Sequence, residues 1–129
     1  MIISIRENID IPIYTQIRNQ IVYGISTGEL EAGEQLPTVR NLATELGVNT
    51  MTVSKAYQQL KQEGYIYTDR RFGARIRENF EHVMLSRENE MLLRNIISEA
   101  KIYGYSKEEL LKICEDIYDG VEITRKSKK

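Results

Sequence analysis

The sequence has few of the residues that build disulfides and metal sites. It contains one cysteine, Cys114, and one histidine, His82, among 129 residues. A single cysteine excludes an intramolecular disulfide, and the position of Cys114 in an apolar helical pattern favours a small core residue over a nucleophile. His82 has no cysteine or carboxylate at ligand spacing, so we do not expect a metal site.

Long apolar runs and catalytic motifs are also missing. No run of about 18 apolar residues occurs, and the first residues, MIISIRENI, lack the pattern of a signal peptide. We therefore expect a soluble, cytoplasmic protein. The carboxylates are scattered, and no Gly-rich phosphate loop or activated nucleophile is present. We accordingly expect neither an enzyme nor a bound cofactor.

The net charge of −1 conceals an uneven distribution. Residues 36–77 carry seven basic and three acidic side chains, a balance of +4, whereas the remainder carries eleven basic and sixteen acidic ones. Positive charge is thus concentrated in one part of the chain, as nucleic-acid binding requires. The length suits one core in about the first 78 residues and a smaller helical appendix.

The stretch LPTVRNLATELGVNTMTVSKAYQQLKQEG, residues 36–64, predicts two short helices joined by a tight turn. Apolar residues repeat with helical period in each half, at Val39, Leu42, Ala43 and Leu46 and then at Val53, Ala56, Tyr57 and Leu60. Thr38 and Asn49 suit N-caps, which places the helices from about Thr38 to Leu46 and from Asn49 to near Gly64. Gly47 suits the turn between them. This spacing is typical of a helix-turn-helix that presents its second helix outward.

The outward side of the second helix is polar. It consists of short hydroxyl and amide side chains and one cation: Thr50, Thr52, Ser54, Lys55, Gln58 and Gln59. Such groups suit phosphates and base edges. A solvated helix face is the alternative, and the hairpin that follows favours DNA reading.

That hairpin is predicted from two short runs rich in β-formers, residues 65–68 and 74–77, which flank the turn DRRFG. A hairpin directly after a recognition helix is a wing. Arg70 and Arg71 at its tip suit a phosphate backbone or a minor groove. An ordinary charged hairpin tip is the alternative.

The beginning of the chain predicts one further helix. Pro12 suits a first turn, and isoleucines recur every four residues at Ile13, Ile17, Ile21 and Ile25 until Thr27-Gly28. Upstream, Ile2, Ile3 and Ile5 suit either a short strand or an arm that packs on a neighbour. The predicted fold is mainly α with a small β wing, and the winged helix-turn-helix occupies residues 1–77.

Residues 11–76 resemble the winged-helix domain of GntR-type bacterial transcription regulators. The matching features occur in order: an Ile-Tyr helix start, a Gly-Glu-x-Leu-Pro connector with an arginine three residues on, Gly-Val before the recognition helix, and Glu-Gly-Tyr-Ile into the wing. A short helical tail in place of a large ligand-binding domain resembles the YtrA subfamily. The resemblance implies that DNA contacts lie at Arg40, Asn49, Thr50, Thr52, Ser54, Lys55 and Gly73.

The chain departs from the family pattern at three of these positions or beside them. Many relatives have arginines, which contact guanines or phosphates, at the places of Thr50 and Ser54. Phe72 stands where the family tends to have Gly, Lys or Arg before the wing glycine. The operator and the wing contact are therefore expected to differ from those of better-known branches.

Residues 78–123 predict a helical dimerisation segment. One long helix is expected from about Asn79 to Ile102, and a second follows the capping box that starts at Ser106. Both carry more apolar surface than a hairpin can bury, which favours dimerisation over folding back onto the winged helix. Residues 124–129 predict a basic, disordered tail.

Together these features predict a sequence-specific transcriptional regulator, a repressor in the preferred interpretation, that binds double-stranded DNA as a homodimer at a two-fold symmetric operator. The alternative is a winged-helix module in a larger assembly, where Lys55, Arg70 and Arg71 would dock an acidic protein. Any effector is expected between subunits, because the tail is too small to enclose a ligand.

Overall fold

The computed structural model describes residues 1–80 and 84–121. The chain divides into two compact units, Met1–Glu81 and His82–Lys129. The first unit contains the helices α1 (Ile13–Thr27), α2 (Val39–Leu46) and α3 (Thr50–Gln62) and the strands β1 (Ile66–Asp69) and β2 (Gly73–Ile76). The second contains the helices α4 (Arg87–Ile102) and α5 (Lys107–Tyr118). The prediction of a winged helix-turn-helix followed by two helices is confirmed.

The core of the first unit forms where α1 and α2 pack against α3. Ile17 and Ile21 of α1 are completely buried, whereas Ile13 and Ile25 lie at the edge of the core. The other buried apolar residues are Leu30, Leu36, Leu42, Ala43, Val53, Ala56, Tyr57, Leu60, Ile66 and Ile76. Leu46, which the sequence places in the core, is half-buried at its margin.

Capping fixes the helix-turn-helix boundaries. Thr38 Oγ1 accepts a hydrogen bond from the backbone N–H of Asn41 at 3.1 Å, and Asn49 Oδ1 accepts one from Met51 at 2.7 Å. Each bond satisfies a donor that the first helical turn leaves free. Gly47 ends α2 with φ +68°, a conformation that costs a side chain energy. The predicted bounds of α2 and α3 are confirmed to within about two residues.

The wing is tied to the connector between α1 and α2. Strands β1 and β2 pair antiparallel from Ile66↔Ile76 to Asp69↔Gly73. The connector pairs with the free side of β2 like a short third strand. The N–H of Leu36 donates to the carbonyl of Ala74, and the N–H of Ile76 donates to the carbonyl of Glu34, each at 2.8 Å. This pairing holds the base of the wing against the helical core.

The second unit differs from the prediction at its start. Helix α4 begins at Arg87 rather than near Asn79, because Ser86 Oγ caps it by accepting from the N–H of Asn89 at 3.1 Å. The predicted apolar residue Val83 lies outside the described residues, as do His82 and the predicted basic tail. Helix α5 begins with the expected capping box at Ser106.

No residue of α4 or α5 is buried. Their exposed large apolar residues are Met91, Leu92, Leu93, Ile96, Ile97, Ile102, Leu111, Ile117 and Tyr118. Cys114 is exposed as well, so its prediction as a small core residue is wrong for the single chain. Within the described ranges, no helix is both long and apolar enough to cross a membrane.

Candidate nucleic-acid interface

Helix α3 turns one face into the core and leaves the other open. Val53, Ala56, Tyr57 and Leu60 are buried. Thr50, Lys55 and Gln58 on the other sides are exposed, and Thr52 and Ser54 are half-exposed. The 3.6-residue period produces this division, since the core takes positions i, i+3, i+4 and i+7. The outward face predicted from the sequence is therefore available to a partner.

The first turn of α3 carries a residue that the prediction omits. Met51 lies between Thr50 and Thr52, and 76% of its surface is exposed. A flexible apolar side chain at the tip of a recognition helix suits contact with the methyl group of thymine. The sequence could have indicated Met51, because it lies between Thr50 and Thr52, two residues that were predicted to contact DNA.

Asn49 has a structural role that limits its use in recognition. Its side-chain oxygen caps α3 by accepting the N–H of Met51. The amide nitrogen is the part of this side chain that remains for a phosphate or a base.

Lys55 has a partner on α1. Its Nζ lies 4.1 Å from the centroid of the Tyr14 ring, within cation–π range. The residue as a whole remains exposed. The contact with Tyr14 therefore positions the Lys55 ammonium beside the start of α1 and restricts the conformations of the Lys55 side chain.

A cleft of about 310 Å³ separates α3 from the wing. Its lining has an apolar part that includes Leu36, Val39 and Ile66, and a polar part that includes Thr38, Ser54, Gln58, Lys61 and Thr68. Arg40, one residue after Val39 on α2, is exposed. Lys61 adds a cation here that the predicted site did not include.

The tip of the wing presents two unpaired arginines. Arg70 and Arg71 are exposed, and the structure records no ion pair for either among the described residues. The carboxylate of Asp69 accepts the N–H of Arg71 at 2.8 Å and shapes the turn. Gly73 follows with φ +76° and open space around the site of a Cβ, so its requirement is conformational rather than steric.

Arg75 is committed to the base of the wing. Its Nε donates to the carbonyl of Gly33 at 2.9 Å, its Nη1 lies 3.9 Å from Asp69, and its guanidinium lies 5.1 Å from the centroid of the Phe72 ring. Phe72, which departs from the family pattern, thereby packs on an arginine of its own strand pair. The charge at the tip comes from Arg70 and Arg71.

Tyr57 links α3 to the beginning of α2. Its hydroxyl donates to the carbonyl of Pro37 at 2.7 Å. Burial raises the pKa of Tyr57, and the nearby charge of Glu45 raises it further. The phenol therefore stays protonated as the donor throughout the physiological range. This bond fixes Thr38, the cap of α2, relative to the recognition helix.

The described residues offer no group of three or more His, Cys, Asp or Glu side chains that could hold a metal ion. What they offer is an outward helix, a cleft and a positively charged hairpin on one scaffold. These features define a winged helix-turn-helix DNA-binding protein.

Comparison with known proteins identifies the family. The family of bacterial regulatory proteins named gntR matches residues 13–76. The HTH-type transcriptional repressor YtrA of Bacillus subtilis (strain 168) is 35% identical over 119 residues, which span 90% of this chain and 92% of YtrA. The chain belongs to the GntR family of bacterial transcription regulators, within the YtrA subfamily. Members of this family regulate transcription and are not enzymes.

Solved structures extend the likeness beyond the matched segment. A transcriptional antiterminator from Listeria monocytogenes EGD-e superposes with a TM-score of 0.81 at 28% identity, covering 98% of both chains. YtrA from Sulfolobus acidocaldarius gives a TM-score of 0.62 at 38% identity, covering 79% of this chain and 99% of its own. The winged helix-turn-helix and the helices after it thus have counterparts in solved GntR-family structures.

Proposed function

We propose that this DNA-binding regulator acts in the cytoplasm as a homodimeric repressor that reads a two-fold symmetric operator. The observation that carries the proposal is the polar, outward first half of α3, held beside the charged wing tip by a buried core. The name of its relative YtrA, a transcriptional repressor, supports the sign of regulation.

The residues divide by role. Thr50, Thr52 and Ser54 of α3 would enter the major groove together with Met51. Arg40, Asn49 and Lys55 would approach the phosphates around that groove, with Lys55 steadied by Tyr14. Arg70, Arg71 and Gly73 would place the wing on the adjacent backbone. Phosphate contacts fix the register of a protein on DNA, and base contacts supply the specificity.

Residues 78–123 would form the dimer interface. Ile96 and Ile117 are 58% and 56% exposed, and their neighbours on the same helices are also open. Soluble proteins rarely expose so many large apolar side chains without a partner. A second copy of the same helices is the self-complementary partner that two-fold symmetry provides. Any effector would then bind between the two copies.

We predict that sequences selected from a random duplex pool contain inverted repeats with half-site centres about one helical turn, or roughly 10 base pairs, apart. Two recognition helices related by a two-fold axis require this symmetry. Binding should also weaken steeply with added salt, because basic side chains displace counterions from phosphates. Selection followed by affinity measurements at several salt concentrations checks both. An asymmetric motif, or affinity unchanged by salt, would contradict the proposal.

A second prediction separates base reading from backbone holding. Thr52→Ala should reduce the preference for operator over random DNA, whereas Lys55→Ala, which removes a phosphate contact steadied by Tyr14, should weaken binding to both DNAs. Arg71→Ala should weaken binding to both DNAs about equally and flatten the dependence on salt. Competition titrations with both duplexes measure these effects.

Lys101→Ala is the matched control, since it removes an exposed cation from α4, outside the residues proposed to contact DNA. It should leave both affinities unchanged. If Arg71→Ala alone abolished the preference while Thr52→Ala had no effect, α3 would not be the reading helix.

A further inference from the structure

The segment Met1–Arg6, named here the N-terminal arm, lies outside the part of the chain that matches the family. It has no regular secondary structure, yet its exposure alternates as in a strand. Met1, Ile3 and Ile5 are half-buried and pack against the core, whereas Ile2, Ser4 and Arg6 are exposed. A period of two indicates an extended chain with one face turned inward. The sequence left open a short strand or an arm that packs on a neighbour; the segment forms no strand and packs on its own chain.

Two glutamine side chains of α1 hold the arm. Gln20 accepts from the N–H of Ser4 at 2.8 Å and donates to its carbonyl. Gln16 does the same for Arg6, with both bonds at 2.8 Å, and its amide also donates to the carbonyl of Ile11 at 2.8 Å. Each carboxamide thus makes the two bonds that a residue of a neighbouring strand would make.

The spacing of these pairs explains why they fit. Residues four apart on a helix are separated by about 6 Å along its axis, and residues two apart in a strand by about 6.6 Å. Gln16 and Gln20 therefore meet Arg6 and Ser4 in register. An amide side chain supplies the donor and the acceptor that each pair needs on two adjacent atoms, its nitrogen and its oxygen.

The arm lies next to the turn of the helix-turn-helix. Ile3 and Ile5 line one open groove of about 730 Å³ together with Leu46 at the end of α2 and Val48 in the turn. All four side chains are half-buried and pack against the same core. Val48 directly precedes Asn49, the cap of α3. The apolar side of the arm thus faces the same groove as the segment that sets where α3 begins.

We propose that the N-terminal arm is a positioning element for DNA recognition, in which Gln16 and Gln20 hold Ile3 and Ile5 against the α2–α3 turn and thereby fix the start of α3. The inference rests on the proposed role of α3 as the reading helix. Gln16 and Gln20 touch no DNA in this arrangement, and they act through the arm.

The test replaces both glutamines in the full chain, as Gln16→Met with Gln20→Met, which keeps side-chain length and removes all five amide bonds. Operator affinity should fall about tenfold, with a smaller loss on random DNA, because a displaced first turn of α3 harms base contacts most. Amide exchange should quicken at Gly47 and Val48, and stay slow at Leu36 and Ile76 of the wing base, whose N–H groups bond to Ala74 and Glu34. Gln62→Met, at the end of α3, is the control and should change neither quantity.

A second variant, Ile3→Ser with Ile5→Ser, removes the apolar contacts and leaves α1 intact; it should reproduce both effects. Exchange that quickened equally in the turn and in the wing base would show that the arm adds only global stability, and unchanged affinity in both variants would also overturn the inference. If the intact protein preferred no sequence, the proposed function would fail, and the exchange pattern would still decide whether the arm fixes the turn.

Discussion

Replacing Ile96 and Ile117 by aspartate is expected to make the protein monomeric at micromolar concentration and to weaken operator binding by about a hundredfold or more. Both side chains lie on the exposed apolar faces of α4 and α5. A charge there would have to be desolvated in the proposed dimer interface, which costs several kcal/mol per ion in order of magnitude. A monomer reaches one half-site only. Sedimentation and operator titration of the same samples measure the two consequences.

Asn95→Asp is the control for this experiment. It adds a charge to the exposed surface of α4 and leaves Ile96 and Ile117 in place, so the dimer and the affinity should persist. A chain ending at Glu81 should likewise be a folded monomer, because every buried residue lies upstream of that point among the described residues. A monomeric intact chain, or a dimeric truncated one, would move dimerisation to the arm or the winged-helix body.

The second large effect is expected in the core. Ile21→Ala should lower the free energy of unfolding by about 2–5 kcal/mol, because Ile21 is completely buried where α1 packs on α3. The free energy of unfolding of typical domains is about 5–15 kcal/mol, so this substitution removes a large part of it. The variant should therefore unfold, and lose DNA binding, at a lower temperature. Urea titration followed by circular dichroism measures the change.

Tyr23→Ala on the same helix is the matched control, since 56% of Tyr23 is exposed. It should change the unfolding free energy by less than about 1 kcal/mol. Equal losses at Ile21 and Tyr23 would mean that α1 does not pack on α3 through its isoleucine face.

The helices of the winged unit could be predicted from sequence because two independent signals agree there. Apolar period and capping residue point to the same bounds at Thr38 and Asn49. At α4 the signals conflict: Phe80, Met84 and Leu85 extend the apolar pattern upstream, but Ser86 caps the helix after them. The hydrogen bond to an otherwise free N–H decides the boundary, and apolar spacing does not report it.

The candidate site was predictable to the extent that it lies on one helix face or one turn. The contact of Lys55 with Tyr14 joins residues distant in sequence, and no local pattern marks it. Gln16 and Gln20 look like ordinary surface residues of a helix, because a carboxamide gives no sign of whether it meets water or a backbone. Such partners become visible only when the chain is folded.

The hydrogen-bonded base of the wing determines which wing residues can be substituted without loss of the fold. Bonds from Leu36 and Ile76 to Ala74 and Glu34 fix the register of both strands, and Arg75 locks the same base to Gly33. Residues 70–72 lie beyond these bonds. Substitutions, and even insertions, at those three positions would therefore be tolerated by the fold, so mutation can retune the wing contact while the recognition helix keeps its place. The strength of DNA binding and its dependence on salt can therefore change through the tip without a new scaffold.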